Sequence, residues 1–366
     1  MLKKILHIIL LLINAVFALS LILAYLSVYI SPEIWWVPAF FGLAYPVLIV
    51  VNFIFAIYWA FRRRIKLLIF TGLIIIMGVS YITDYFQIRF KSNTEKNENS
   101  DIKIMSYNVK LFNLYNWKNN KTIRNEIFDV IKEEQSDIIC FQEFYKESSK
   151  RFNTLDTLKE FQNAKYYHEE YTQISRKKYF FGIATFSKYP IINKGKFVFE
   201  NSDNICIYSD IVINKDTIRI YNNHLESIRF DYTDYNFIDS IEFKFDNKKI
   251  EGAKTITKRL KNAYIKRANQ VDIISENIEL CPYPVVVCGD FNDTPISYAY
   301  HKMKMGLIDA FKESGSGIGR TYTGKFPSFR IDYLFYSQEM KSISFKIINK
   351  EHSDHYPIVC NLELTK

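Results

Sequence analysis

The sequence predicts an α+β domain, two packed β-sheets with helices outside them, preceded by three transmembrane helices. Three observations lead there. Charge-free apolar stretches fill the first 90 residues, strand-like runs outnumber helical ones after residue 100, and polar side chains collect where those runs end. With 48% hydrophobic and 16% aromatic residues among 366, the chain has ample material for a large core, which excludes a disordered protein.

The apolar stretches lie between Lys4 and Glu33, Glu33 and Arg62, and Lys66 and Asp84. Each approaches or exceeds the roughly 20 residues that cross a bilayer as a helix. A signal peptide would have a shorter apolar core, a small-residue cleavage site and no further apolar spans behind it. Residues 1–90 therefore read as a membrane anchor with spans at about 5–30, 35–61 and 66–86, and the lipid bilayer is the first expected partner. Lys3 and Lys4 precede the first span, the run "RRRIK" from Arg62 to Lys66 separates the second from the third, and the link around Ser31 carries no cation. The positive-inside rule puts the N-terminus and the second link in the cytoplasm. An odd number of spans then places everything after them on the extracytoplasmic side of an inner or cell membrane.

The segment "KSNTEKNENS", residues 91–100, contains no apolar residue and reads as an exposed linker, so the soluble domain occupies 101–366. The chain's net charge of +9 owes much to the anchor. Residues 1–100 hold nine Lys/Arg against four Asp/Glu, leaving 39 against 35 for the rest. A surplus that small is a weak footprint for a strong nucleic-acid binder. All five cysteines fall in the soluble domain, most of them inside apolar runs, and the odd count together with the spacing favours buried free thiols.

Within that domain, residues 102–112 and 137–144 are strand-like, and residues 120–135 have helical spacing at Ile123, Ile127, Val130 and Ile131. Further strands are expected at 180–187, 205–213, 217–225, 283–290, 330–337 and 355–363. A long helix is expected over 252–279, with apolar positions at Ile256, Leu260, Tyr264, Val271, Ile274 and Ile278. Many strands with few helices imply two sheets stacked face to face.

Asn108, Glu143, His224, Asp290 and Asn292 end predicted strands, while Asp332, Asp354 and His355 open others. One acidic residue at a strand end is ordinarily a turn residue; a recurrence of this kind points to a site. Carboxylate and amide oxygens suit a hard cation such as Mg²⁺, and a histidine beside them supplies proton transfer or a cationic donor. Together they read as metal-assisted phosphoester hydrolysis.

The ordered set "SYNVK", "FQE", "NNHLES", "GDFND", "RIDYLF" and "SDHYP" resembles the endonuclease/exonuclease/phosphatase superfamily, whose fold is that of deoxyribonuclease I. The likeness covers about residues 101–366. It implies a four-layer α/β sandwich with the active site at one edge of the sheets, Mg²⁺ as cofactor with Mn²⁺ as a substitute, and a phosphoester substrate: nucleic acid, phospholipid headgroup or small phosphoester. It further implies Glu143 as principal metal ligand, with Asn108 and Asp354 in or near the metal's shell. Asp290 and Asn292 would orient water and phosphate, and His355, held by Asp332, would meet the phosphate. His224 would donate to a phosphate oxygen with Tyr221 nearby. Abasic-site repair enzymes have an amide where His224 stands, so "NNHL" looks closer to the deoxyribonuclease I, sphingomyelinase and inositol-phosphate phosphatase branches.

Residues 229–261 carry eight Lys/Arg and six Asp/Glu. They read either as the solvated face of a helix or as an insertion that overhangs the site and selects substrate. "GSGIGR", 315–320, reads as a mobile loop, and Arg320 and Arg330 read either as salt-bridging surface arginines, the more common case, or as groups that reach a phosphate. The competing function is a catalytically silent binding or envelope-scaffold module of the same fold. Such a relative is expected to have lost metal or histidine positions, and this chain retains them all. No obligatory protein partner is implied. Alkaline phosphatase and green fluorescent protein fusions at residue 100 check the orientation: an active phosphatase and a dark fluorophore are expected, and the reverse pattern refutes it.

Overall fold

The computed structural model describes residues 1–89, 102–115, 120–148, 154–162, 164–229, 247–324 and 329–365; the expected linker at 91–100 and most of the insertion's first half lie outside them. Helices α1 (Leu2–Leu26) and α2 (Val37–Phe61) are each long and apolar enough to cross a membrane. The third expected span is bent. It consists of α3 (Ile65–Met77) and α4 (Val79–Tyr85), set 49° apart at Gly78, so the chain has two candidate spans, or three if the bent pair counts as one. A Cβ on Gly78 would lie 2.2 Å from the Tyr25 ring, so only glycine lets the break pack against α1.

Beyond the anchor, two six-stranded mixed sheets stack face to face. One has the order β10 (Ile308–Asp309), β12 (Asp332–Tyr336), β9 (Val285–Asp290), β8 (Asp216–His224), β7 (Ile205–Ile213), β6 (Ile191–Val198). The other runs β13 (Met340–Ile347), β14 (Ile358–Leu364), β2 (Ile102–Asn108), β3 (Ile138–Glu147), β5 (Tyr179–Ser187), β4 (Tyr166–Ser175). Between them lies an aliphatic core that includes Ile104, Cys140, Ile220, Val286, Leu334 and Ile358. Helix α5 (Asn120–Glu134) covers the outer face of the second sheet through Ile127, Val130 and Ile131, and α6 (Thr154–Gln162) joins it. Helix α7 (Asn247–Glu279) and the short α8 (Tyr298–Met303) cover the first through Val271, Ile274 and Tyr300. This is the layered α+β sandwich that the alternation of apolar residues requires. The cysteines are unpaired, and four of the five are buried.

Two readings change. The strand expected over 102–112 stops at Asn108 and gives way to a tight turn at Lys110–Asn113, where Lys110 to Asn113 all have positive φ. "GSGIGR" is tied to the anchor, because β11 (Gly317–Ile318) pairs antiparallel with β1 (Phe86–Gln87), directly after α4.

The anchor is docked on the sandwich. Asp84 of α4 bonds Lys312 Nζ at 2.5 Å, and its carbonyl accepts from Arg330 Nη1 at 2.9 Å. Arg330, one of the two arginines considered for phosphate, is instead buried in an ion pair with Asp309 Oδ1 at 2.5 Å and stacks over Phe311 at 4.4 Å. Ile296, in the loop after β9, is fully buried among Leu21, Tyr25, Tyr45 and Leu48 of the helical bundle. Arg330→Ala leaves Asp309 buried with its main cation removed. A loss of about 3–5 kcal/mol is expected, read as a lower melting temperature of the full chain in detergent.

Candidate active site

Strand alternation carries the polar side chains to one rim. In β9, Val286 and Cys288 face the other sheet and Val285 and Val287 face the helices, so Asp290 points between the sheets. Antiparallel β12 sets Asp332 opposite Asp290, and parallel β8 sets His224 beside it. Three adjacent strands therefore present Asp332, Asp290 and His224 at one level. Gly289, at φ 132°, makes this approach possible: a Cβ there would lie 2.0 Å from the Asn223 carbonyl oxygen.

The facing sheet supplies the remainder. Asn108 ends β2 with the inward parity of Ile102 and Ile104. Glu143 would have outward parity, but the register of β3 against β5 shifts between Phe141 and Phe144. The extra residue, with Glu143 at φ 48°, turns its carboxylate onto the rim. The turn before β14 contributes Asp354 and His355.

Across the cleft, Asn108 Nδ2 donates to Asp290 Oδ2 at 2.9 Å and to Glu143 Oε1 at 3.3 Å. His355 Nδ1 lies 2.9 Å from Asp332 Oδ2, and its Nε2 lies 3.7 Å from Asp290 Oδ2. The Asn292 N–H donates to Asp290 Oδ1 at 2.9 Å and its amide to the Leu225 carbonyl at 3.0 Å. Asp354 Oδ2 pairs with Lys110 Nζ at 2.7 Å. His224 Nε2 is buried without a protein hydrogen-bond partner, 3.8 Å from Asp290 Oδ2 and 4.0 Å from Glu143 Oε1. A buried polar atom in that position calls for an acceptor from outside the chain.

Electrostatics follow from this crowding. Burial would depress His355, but the Asp332 and Asp290 carboxylates outweigh it and raise the imidazolium to about 10. Burial lifts Asp290 to about 6 against the pull of His355. Glu143 is also raised, by desolvation and then by Asp354. Burial lowers His224. Asp354 would rise on burial, yet His355 and Lys110 bring it below the ordinary range.

Tyr221 is not brought to this rim. It has the opposite parity on β8, and its hydroxyl donates to Asn277 Oδ1 on α7 at 2.7 Å. Asp293, a turn residue by its position in "GDFND", is buried and accepts from Arg267 Nε at 3.0 Å. Three supporting residues escaped the sequence reading. Gln142 Nε2 donates to Asn222 Oδ1 at 2.7 Å and joins the sheets beneath the site, and the Tyr322 ring lies 5.2 Å from that of His355, edge to face. Alternation along "CFQE" and "YNNH" marks Gln142 and Asn222 as inward polar residues, the one signal available for them; Tyr322 has none.

Asp290, Asp332 and His355 offer ligand atoms within 4.8 Å of one another. Asp332 and Asp290 hold His355 as an imidazolium, however, whose Nε2 carries a proton, which leaves the carboxylates as cation donors. Raised carboxylates at Glu143 and Asp290, crowded together with Asp354 beside them, suit a hard divalent cation. Asn108 turns its amide nitrogen to Glu143 and Asp290 while its Oδ1 accepts from the Lys110 N–H, so here it orients carboxylates.

The sequence profile described as "Endonuclease/Exonuclease/phosphatase family" matches residues 105–355. The chain belongs to that family. A second profile, described as a domain of unknown function, matches residues 4–85, the anchor. No curated protein matches. Among solved structures, an endonuclease/exonuclease/phosphatase family protein from Leptotrichia buccalis is 19% identical, with TM-score 0.51, over 72% of this chain and 100% of its own. The Bacteroides vulgatus endonuclease/exonuclease/phosphatase is 18% identical, with TM-score 0.51, over 72% and 98%. The mannosyl-6-phosphatase Bt3783 of Bacteroides thetaiotaomicron is 16% identical, with TM-score 0.51, over 71% and 99%. These likenesses establish the fold, and the family is one of phosphoester hydrolases.

Asp332→Asn removes the main lift on His355. With aspartate present, the imidazolium keeps its proton until pH rises toward about 10. In the variant, deprotonation is expected to move down toward the ordinary value of about 6.5, followed by NMR titration of the ring protons.

Proposed function

We propose that this protein is a membrane-anchored phosphoester hydrolase that uses Mg²⁺, with Mn²⁺ as substitute, and whose catalytic domain faces away from the cytoplasm. The observation that carries the reading is the meeting of Asp332, Asp290 and His224 from three neighbouring strands with Glu143 and His355 from the facing sheet. The B. thetaiotaomicron neighbour, titled a mannosyl-6-phosphatase, supports the same substrate class.

In this reading Glu143 holds the cation, with Asp354 beside it and Asn108 in or at the edge of its shell. The cation supplies charge stabilisation for the phosphate oxygens. Asp290 is a carboxylate titrating near 6 in a fixed position, the character of a general base, and Asn292 braces it. Asp290 takes a proton as the water oxygen bonds to phosphorus. The phosphorus–oxygen bond to the leaving group then breaks, and that oxygen takes a proton from solvent and leaves as an alcohol while Asp290 returns its proton to water. His355, kept cationic by Asp332, donates to a non-bridging oxygen where charge develops, and His224 Nε2 is placed for another. Orientation is supported by the position of Arg62 to Arg64, at the end of the helices opposite the residues that touch the sandwich.

Purified full-length protein in detergent is expected to hydrolyse bis(p-nitrophenyl) phosphate or p-nitrophenyl phosphate with Mg²⁺ or Mn²⁺ and to stop on adding chelator. His355→Ala and Asp290→Ala are each expected to lower turnover by roughly a hundredfold or more with the thermal melt retained. Near-wild-type turnover in either variant rejects the assignment, and chelator-resistant turnover rejects the cation.

A further inference from the structure

The cavity at the rim, about 220 Å³, is lined by unlike groups. Glu143, Asp290, Asn292, Asp354 and His355 make its polar floor, Arg229 and Arg267 add cations, and Leu43, Ile228, Tyr264 and Ile331 add apolar wall. Leu43 belongs to α2, a candidate membrane span. An apolar cluster of Ala39, Phe40 and Leu43 with Ile228, Leu260 and Tyr264 joins the first turns of that helix to α7 of the sandwich. The seam is fixed by further contacts. The Phe40 and Tyr264 rings meet at 5.5 Å, Lys261 Nζ lies 5.1 Å from the Trp36 ring centre, and Ser27 Oγ donates to the Ile296 carbonyl at 3.1 Å.

Helical geometry sets the depth of Leu43. Phe61 is exposed and directly precedes Arg62 to Arg64, which marks the cytoplasmic end of the hydrocarbon. Counting back about 20 residues, the length that spans the bilayer core, reaches the neighbourhood of Gly42. Leu43 therefore sits at the outer boundary between acyl chains and headgroups. It also lies on the face that meets lipid: Val47, Val50, Ile54, Ile57 and Phe61, at helical spacing from it, are all exposed. A lipid-facing stripe thus runs up α2 and ends in the wall of the catalytic cavity. Trp35, partly exposed in the link before α2, suits the same interfacial level.

We infer that the substrate is a lipid: a phosphoester whose headgroup reaches the polar floor while its acyl chains stay in the bilayer against the lipid-facing stripe of α2. The inference rests on the hydrolase reading above and narrows its substrate class. A water-soluble phosphoester gains nothing from a membrane helix in the cavity wall, whereas an amphiphile moving in the outer leaflet arrives with its phosphate already at the depth of the floor.

The test uses full-length protein reconstituted into phosphatidylethanolamine vesicles doped with graded mole fractions of phosphatidic acid, phosphatidylglycerol or sphingomyelin. Bis(p-nitrophenyl) phosphate serves as the soluble comparison, all with Mg²⁺. Turnover of at least one lipid is expected to exceed that of the soluble ester and to follow its mole fraction in the bilayer at constant bulk concentration. Leu43→Ala is expected to lower the ratio of lipid to soluble turnover by roughly tenfold, the worth of one buried leucyl side chain. Independently of turnover, a lipid phosphonate with a diazirine at the headgroup end of its acyl chain is expected to label the Leu260–Tyr264 turn of α7, which packs on the first turns of α2 outside the spans. Soluble turnover at or above lipid turnover, with no label on that turn, overturns the inference and leaves the hydrolase standing. No turnover of any substrate overturns the hydrolase reading instead, and the label on α7 then decides the lipid inference alone.

Discussion

The hydrogen bond from Asn108 to Asp290 crosses from one sheet to the other, and the site depends on the stacking that it records. Neither residue can be reached from its partner's sheet unless the aliphatic core sets the two sheets at their packing distance, about 10 Å. Beneath it, the amides of Gln142 and Asn222 make a second crossing at 2.7 Å, and Asn222 also donates to Thr185 Oγ1 at 3.2 Å. Buried amides of this kind tolerate little sliding, because each lost partner leaves a desolvated group behind. The sandwich is therefore held in register next to the catalytic rim, where a small slip would separate Asp290 from Glu143.

That rim concentrates like charges in a poorly solvated space. Asp332 is balanced by His355, and Asp354 by Lys110. Glu143 and Asp290 share the Asn108 amide, and burial pushes both carboxyls upward against the pull of His355. A bound cation would offset this crowding, which accords with the hydrolase proposed above.

The anchor is more than a tether. Its last turn meets the sandwich through Asp84, Lys312 and Arg330, the loop after the catalytic strand β9 buries Ile296 in the helical bundle, and α2 contributes Leu43 to the cavity. The N-terminal helices and the site are thereby joined by packed, bonded contacts.

Several features were legible in the sequence because they are local. Long charge-free apolar runs marked the N-terminal helices, short apolar runs marked the eight expected strands, and polar residues at strand ends marked nearly every residue at the rim. What escaped depended on partners distant in the chain. The half-exposed strands β4, β6 and β13 lack a continuous apolar pattern, and the break at Gly78 packs closely on the distant Tyr25 ring, where a Cβ would clash. Tyr221 looked close to His224 in sequence, yet alternation sends it to the opposite face. Arg330 could be read as salt-bridged or as reaching a phosphate, and its pair with Asp309 decides for the first. The sequence by itself determined which groups are present and which strand ends carry them, since propensity and alternation act over neighbouring residues. Only the tertiary structure decided which of those groups meet, and that the apolar helix α2 meets them too, because sheet stacking and helix docking are fixed by burial between segments far apart in the chain.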